Sequence, residues 1–498
     1  MKNINFLFVF FLLCNISFLN AQDDNNETEI ISKTEEAITA FIDQNPTDQV
    51  RTNCVLSTQI NSRNIPYTIN TAGTYCVVEN IALSRPGATL ITINANNVVL
   101  DLNNQTLSGF GNYIIASNNS GAITNVGTNF QNNTTFGNLQ NNIQSISTLP
   151  SGTFPNITTN QNQNNNTVNS INSINGINTN PNFGTNNTSN GNATNIGTVS
   201  GTGLTINGIQ VNARSNVTIQ NGALINFASN GIFLSPGCQQ IEINNVFLFN
   251  NNVGILANGI NRCLISNCFA ALCRTAGILI SNGVSFNAQN SIISKCYAFG
   301  TGIGSSTAGP GFSFGNCSNF LINQCVAYGN RGNGFQQTAC TGFLYEQCQS
   351  SGNINSGHGF SIENNNTSLE SCIADNNQFD GFRANCNQIS LENCKSKNNR
   401  NGFNFEGGTD GIVLNNFAQN NSVSGFALAA ATRAFQVRSN TATGNTTFGF
   451  SDLNVTAPLN KFYANFANNN GTNFNGITNV AVSPLPATPI NFTTNIAE

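Results

Sequence analysis

The chain has 498 residues, of which 39% are hydrophobic and only 8% charged, with a formal net charge of −4 at pH 7. So sparse and balanced a charge leaves no basic patch to attract nucleic acid or an anionic membrane surface, and both partner classes are set aside. Length alone suggests several domains, but one period runs through most of the chain, which argues for a single elongated domain.

Residues 1–21 have the order of a secretory signal: Lys2, an apolar run from Phe6 to Leu13, then Leu19-Asn20-Ala21 before the cut. The run is well short of the roughly 20 apolar residues a membrane span needs, and no later segment is apolar enough to cross. The mature chain is therefore expected to be secreted or held at a cell surface, in the periplasm or on the outer surface if bacterial. Residues 22–50 are acidic and polar. Within them Ser32-Lys33-Thr34-Glu35 forms a capping box ahead of Ala37, Ile38, Phe41 and Ile42, so this stretch is either a short helix capping the first coil or a disordered leader.

From 51 to 111, short alternating runs such as Tyr67-Thr68-Ile69, Leu90-Ile91-Thr92-Ile93 and Val98-Val99-Leu100-Asp101-Leu102 have strand periodicity. Asp101 lies in the last of these runs and is a candidate either for chemistry or for a turn. Residues 112–200 then hold no Asp, Glu, Lys, Arg or Cys and few bulky side chains. This Asn-rich segment offers no evident core and reads as an insertion, disordered or weakly β-forming, or as a ligand-binding arm.

The main repeat occupies 201–475. Gly followed by Phe or Ile opens a unit at Gly208, Gly231, Gly254, Gly277, Gly311, Gly334, Gly359, Gly381, Gly402, Gly425 and Gly449. Apolar and polar residues alternate after each glycine, as in Phe312/Phe314 and Phe403/Phe405, which is the spacing of a strand with one buried face. Self-similarity at this period marks a solenoid. Residues 476–498 lose the pattern, and Pro484, Pro486 and Pro489 suit a terminating tail.

A repeat made only of short strands and Asn/Gly turns, together with the run Val98 to Gly109, resembles the right-handed parallel β-helix of the pectin-lyase-like superfamily, in its PbH1-repeat branch. The resemblance implies an all-β, single-stranded solenoid of about a dozen coils.

Cysteines fall in columns. Of 15, Cys14 lies in the signal, leaving fourteen. Cys268, Cys296, Cys325, Cys348, Cys372 and Cys394 occupy one place in successive units, with Val246, Phe417, Asn221, Asn440 and Asn465 assigned to it elsewhere. Cys238, Cys263, Cys317, Cys340 and Cys386 form a second column. Both are expected to pack as buried free thiols, the alternative being a disulfide ladder. Cys54 and Cys76, outside the columns, are the disulfide candidate. Five residues beyond the first column, Asn226, Asn251, Asn330, Asn353, Asn377, Asn399, Asn445 and Asn470 are expected to form an asparagine ladder at a turn.

Candidate chemistry lies on outward positions. Two places before the cysteines come Glu346, Glu370 and Glu392, with Asn415 and Arg438 assigned to the same place in later units. Stacked at about 4.8 Å, these carboxylates are candidate catalytic groups, or could hold a Ca²⁺ ion, or simply solvate a face. No other metal or cofactor is implied. Phe269, Tyr297, Phe299 and Tyr328, one and three places after the cysteines, are expected to face outward together and to bind ligand, unless loops bury them. The lone histidine sits in Gly357-His358-Gly359-Phe360-Ser361-Ile362, which resembles the Gly-His-Gly-Ile-Ser-Ile run of polygalacturonases. Asn-Thr-Asp, a paired Asp within the stack and Arg-Ile-Lys are missing, so His358 is expected to be a turn residue. Glu370 and Glu392 with Lys395, Lys397 or Arg383 could imitate a pectate lyase site, but no lyase motif is present. The leading expectation is an exported binding module recognising a polysaccharide or cell-surface glycan. The alternative is a polysaccharide lyase or glycoside hydrolase acting on acidic polysaccharide.

Overall fold

The computed structural model describes residues 54, 56–83, 88–109, 206–302, 305, 309–363, 365–477 and 496–497. The signal-like segment, the capping-box stretch, the Asn-rich insertion and nearly all of the C-terminal tail lie outside them. The described residues form an all-β parallel solenoid of about 13 turns.

Each full turn contributes three short strands. Ladder 1, the 15-stranded sheet, stacks the Gly-Phe strands, among them Phe335–Thr338, Phe360–Glu363 and Phe382–Asn385. Ladder 2 holds Thr341–Glu346, Thr367–Glu370 and Ile389–Glu392. Ladder 3 holds Gln349–Ser351, Ile373–Asp375 and Lys395–Lys397. Ladders 2 and 3 share the 25-stranded sheet, because in early coils one strand such as Gln239–Phe249 runs through both. Pairing is parallel and in register, so like positions stack: Phe335 on Phe360 on Phe382, and Glu346 on Glu370 on Glu392. Ile91–Ile93 pairs directly with Ile209–Val211, and Val98–Ser108 with Ser215–Ile225, so residues on either side of the insertion are stacked neighbours.

The repeat glycines are explained by contact between coils, and none of the eleven has a positive φ. A Cβ on Gly381 would lie 2.8 Å from both Asn399 Nδ2 and Gly402 O, and one on Gly359 would lie 2.9 Å from the Ala374 Cβ. Only a residue without a side chain lets the backbones approach so closely. The phenylalanine after it points inward. From Phe312 through Phe335, Phe360, Phe382, Phe403 and Phe426 to Phe450, ring centroids are 4.7–4.9 Å apart and ring planes within 4–6° of parallel. Ile232, Ile255 and Ile278 fill this column in earlier coils. Apolar burial along the column supplies the main drive for stacking.

Ladders 2 and 3 meet at a one-residue bend in the left-handed backbone region, with φ of 51–55° at Asn267, Lys295, Gln324, Gln347, Ser371 and Asn393. The next residue turns inward, and there sit Cys268, Cys296, Cys325, Cys348, Cys372 and Cys394, all buried free thiols. The second column is likewise buried and unbridged, with the Cys317 N–H donating to Cys340 Sγ at 3.2 Å. Cys54 and Cys76 are joined by a disulfide with Cα atoms 5.6 Å apart; Cys76 belongs to the stack, paired with Asp101. Four column assignments are off by one residue. Lys395 pairs with Phe417, so Asn416, not Phe417, follows Cys394 in the corner. In the same way Gly222, not Asn221, pairs with Val246, and Leu414, not Asn415, follows Glu392. Asn226, with φ of 59°, is itself a bend residue that accepts from Asn250 Nδ2 at 2.8 Å. The asparagine ladder proper runs unbroken from Asn330 through Asn353, Asn377, Asn399, Asn421 and Asn445 to Asn470, buried throughout except at the half-buried Asn470. Its side chains bond from coil to coil, as in Asn353 to Asn377 at 2.7 Å and Asn421 to Asn445 at 2.8 Å. It satisfies backbone groups that the turn removes from the sheet.

Candidate functional site

The outer faces of ladders 2 and 3 carry the residues singled out from the sequence. On ladder 2, Glu346, Glu370 and Glu392 stack in register. Glu370 is exposed and the other two half-buried; Glu346 accepts from Asn323 Nδ2 at 2.9 Å. Among the described residues no three His, Cys, Asp or Glu side chains converge as a metal site.

On ladder 3 the four aromatics fall in two columns rather than one patch. Phe247, Phe269 and Tyr297 stack with centroids 5.5 and 5.9 Å apart. Phe299 and Tyr328 stack in the second column at 5.7 Å with planes 3° from parallel. Phe269, Tyr297 and Phe299 are half-buried, while Tyr328 is 40% exposed. Rings piled rung on rung cover one another's faces, so a flat ligand meets a ring face only where a stack ends. Below Tyr328 the column continues as Ser351, Asp375 and Lys397. Gly352 lies beside the ring, where a Cβ would stand 3.7 Å from it. Burial pushes the Asp375 carboxyl above the usual range, against the pull of Lys397 and a bond from Asn398 Nδ2 at 3.3 Å. In the neighbouring column the Lys395 ammonium lies 5.8 Å from the Phe417 ring centroid.

A third constellation escaped the sequence reading. His358 and Asp380 each precede a repeat glycine and so stand in adjacent coils, His358 Nδ1 lying 3.5 Å from Asp380 Oδ2. The Asp380 carboxylate is fully buried and accepts from Arg400 Nε and a second Arg400 nitrogen, from the Asn401 N–H and Nδ2, and from Asn404 Nδ2, at 2.8–3.2 Å. Arg400 and His358 both pack on Phe379. Arg383, on the outer face of ladder 1, bridges Glu363 at 2.9 Å and Glu406 at 2.6 Å. Arg383 therefore stands with these glutamates and not with Glu370 and Glu392, which lie on ladder 2. Burial holds the His358 pKa below its usual value, with Asp380 opposing and both arginines reinforcing. Its Nδ1 accepts the Asp380 backbone N–H at 3.3 Å. His358 is thus a fixed member of a charged network at the turn into ladder 1.

Residues 207–357 match the family described as right handed beta helix region. The described stack is a right-handed parallel β-helix. No curated protein matches it. Among solved structures the β-helix is similar to the mannuronan C-5 epimerase AlgE6 A-module of Azotobacter vinelandii, at 13% identity and a TM-score of 0.49 over 86% of this chain and 91% of that one. It is similar to the periplasmic alginate epimerase AlgG at 14% identity and a TM-score of 0.45, over 55% and 74%. It is also similar to pectate lyase Pel9A at 14% identity and a TM-score of 0.32, over 55% and 73%. At such identities the likeness concerns the fold. No helix among the described residues is long and apolar enough to cross a membrane.

Proposed function

We propose that this β-helix is an exported, secreted or surface-held binding module that recognises a polysaccharide or cell-surface glycan along the outer face of ladder 3. The observation that carries the reading is the end of the Phe299–Tyr328 stack. An exposed ring is followed in its own column by a hydroxyl, a carboxylate and an ammonium at Ser351, Asp375 and Lys397. A sugar offers an apolar face to such a ring and hydroxyls to the polar groups beyond it. Rungs recur at about 4.8 Å, so a glycan lying along the rod meets a new side chain at each coil. The test is an oligosaccharide binding screen. Tyr328→Ala should weaken binding up to about tenfold, the range of one aromatic contact. Simultaneous alanine at Glu346, Glu370 and Glu392 should leave binding intact. Unchanged affinity in Tyr328→Ala would sink the reading.

The in-register pair Glu370 and Glu392 supports a second reading, a polysaccharide lyase or glycoside hydrolase acting on acidic polysaccharide. Neighbouring rungs stand close to the roughly 5 Å carboxylate separation of retaining glycosidases, and a Ca²⁺ ion at the column belongs to this reading alone. It requires new reducing ends or unsaturated products that disappear when the glutamates are replaced. No turnover across a panel of acidic and neutral polysaccharides would eliminate it.

A further inference from the structure

We infer that the thiol column Cys268, Cys296, Cys325, Cys348, Cys372 and Cys394 is a binding site for soft d10 cations that take two thiolates in line, the chemistry of mercury(II) and copper(I). The six side chains adopt one repeated orientation. Each Sγ faces the carbonyl two residues before it, at 3.2–3.5 Å, and a carbonyl of the preceding coil, at 3.3–3.7 Å. Sulfurs so oriented repeat at the rung spacing of about 4.8 Å. A metal–thiolate bond is about 2.3 Å, so a cation midway between two sulfurs needs them about 4.6 Å apart. The column matches that span with little adjustment. No third His, Cys, Asp or Glu side chain converges on any such gap among the described residues, which excludes a tetrahedral zinc site and leaves two-coordinate soft ions.

The fold itself does not require sulfur here. In the last coils the same corner holds Asn416, Asn440 and Asn465, whose Nδ2 groups donate to the preceding coil's carbonyls at 2.8–3.0 Å. Their Oδ1 atoms also accept the backbone N–H groups of Cys394, Asn416 and Asn440. Asparagine thus makes shorter bonds, and more of them, than cysteine at this place, since Asn416 and Asn440 also donate Nδ2 to the next asparagine's Oδ1 at 3.1 Å. Six consecutive cysteines supply what asparagine lacks, a run of soft ligands shielded from solvent. Each ion replaces two S–H protons, which leave to solvent, with no change of oxidation state. Six thiols taken in pairs hold three ions. A mercury(II) dithiolate is neutral and a copper(I) dithiolate carries one buried negative charge, so mercury(II) binds more tightly.

The test titrates the reduced full-length chain with mercury(II) chloride, and separately with copper(I) held as its acetonitrile complex. Native mass spectrometry reads stoichiometry, and the melting temperature reads the effect on the fold. The triple variant Cys296→Asn, Cys348→Asn and Cys394→Asn removes one thiol from every pair while keeping the corner's hydrogen bonds. The wild type should take up three more equivalents than this variant and melt at higher temperature when loaded. Cys325→Ser, a milder change, should lose one equivalent. Equal uptake by wild type and variants, uptake only in denaturant, or a melting temperature that falls on loading would each overturn the inference.

Discussion

Asp380 offers the sharpest test of the network at the turn into ladder 1. Its carboxylate is fully buried and receives five hydrogen bonds, two from Arg400, two from Asn401 and one from Asn404. Asp380→Ala strips all five donors of their acceptor. The Arg400 side chain is 40% exposed and can turn to water, but the Asn401 N–H and Nδ2 belong to a buried residue. Two buried donors left unmet cost about 1–3 kcal/mol each, so the central expectation is a loss of about 4 kcal/mol. Asp380→Asn keeps one oxygen for Asn401 and turns a donor toward Arg400 and Asn404, which should cost about half as much. Urea unfolding at neutral pH, read as a shift in midpoint at constant slope, measures both. If both variants unfold within about 1 kcal/mol of wild type, or if Asn costs as much as Ala, the carboxylate is not the organising acceptor described above.

Two further outcomes follow from the same geometry. Phe382→Ala removes a ring stacked on both sides and should cost about 3–5 kcal/mol; Phe474→Ala, at the half-buried end of the column, should cost less than half of that, and equal losses would refute the stacking argument. His358 has its folded pKa below its unfolded value of about 6.5 because burial disfavours the cation. Its contribution to stability is therefore complete above that unfolded value and is lost as pH falls through the folded pKa. His358→Gln should flatten the pH dependence of the melting temperature below about pH 6.5, and an unchanged acid limb would count against this assignment.

The fold was legible because in-register stacking turns a sequence period into physical columns. Gly381, Phe382, Cys394 and Asn399 each repeat at a fixed offset, and each does in space what its column suggests. The errors cluster at one-residue left-handed bends, three at the corner between ladders 2 and 3 and one, at Asn226, where the chain leaves ladder 3. Leu414-Asn415-Asn416 places a left-handed asparagine directly before an inward one, and Asn226 and Asn221 are bend residues of the same kind. Alternation stops there, so counting by twos through the corner slips by one. The charged network stayed hidden for a different reason. Arg383, Arg400 and Glu406 sit at offsets unlike that of His358 and Asp380, and only the actual register of the three coils brings the five together. The offset that His358 and Asp380 share, immediately before a repeat glycine, was the one readable signal.

The disulfide between Cys54 and Cys76 spans 22 residues, about the length of one coil. In a rod whose coils touch chiefly their nearest neighbours, unravelling starts at an open end and advances coil by coil. This bond sews the leading coil to the next, so loosening from that end cannot begin one strand at a time. Toward the other end of the described residues no disulfide joins neighbouring coils; there the ladder 3 strand Phe466–Asn468 pairs in parallel with Ile496–Ala497. Under load or protease the stitched coils should therefore hold longer than the unstitched coils of the described stack, and a reductant should remove that difference.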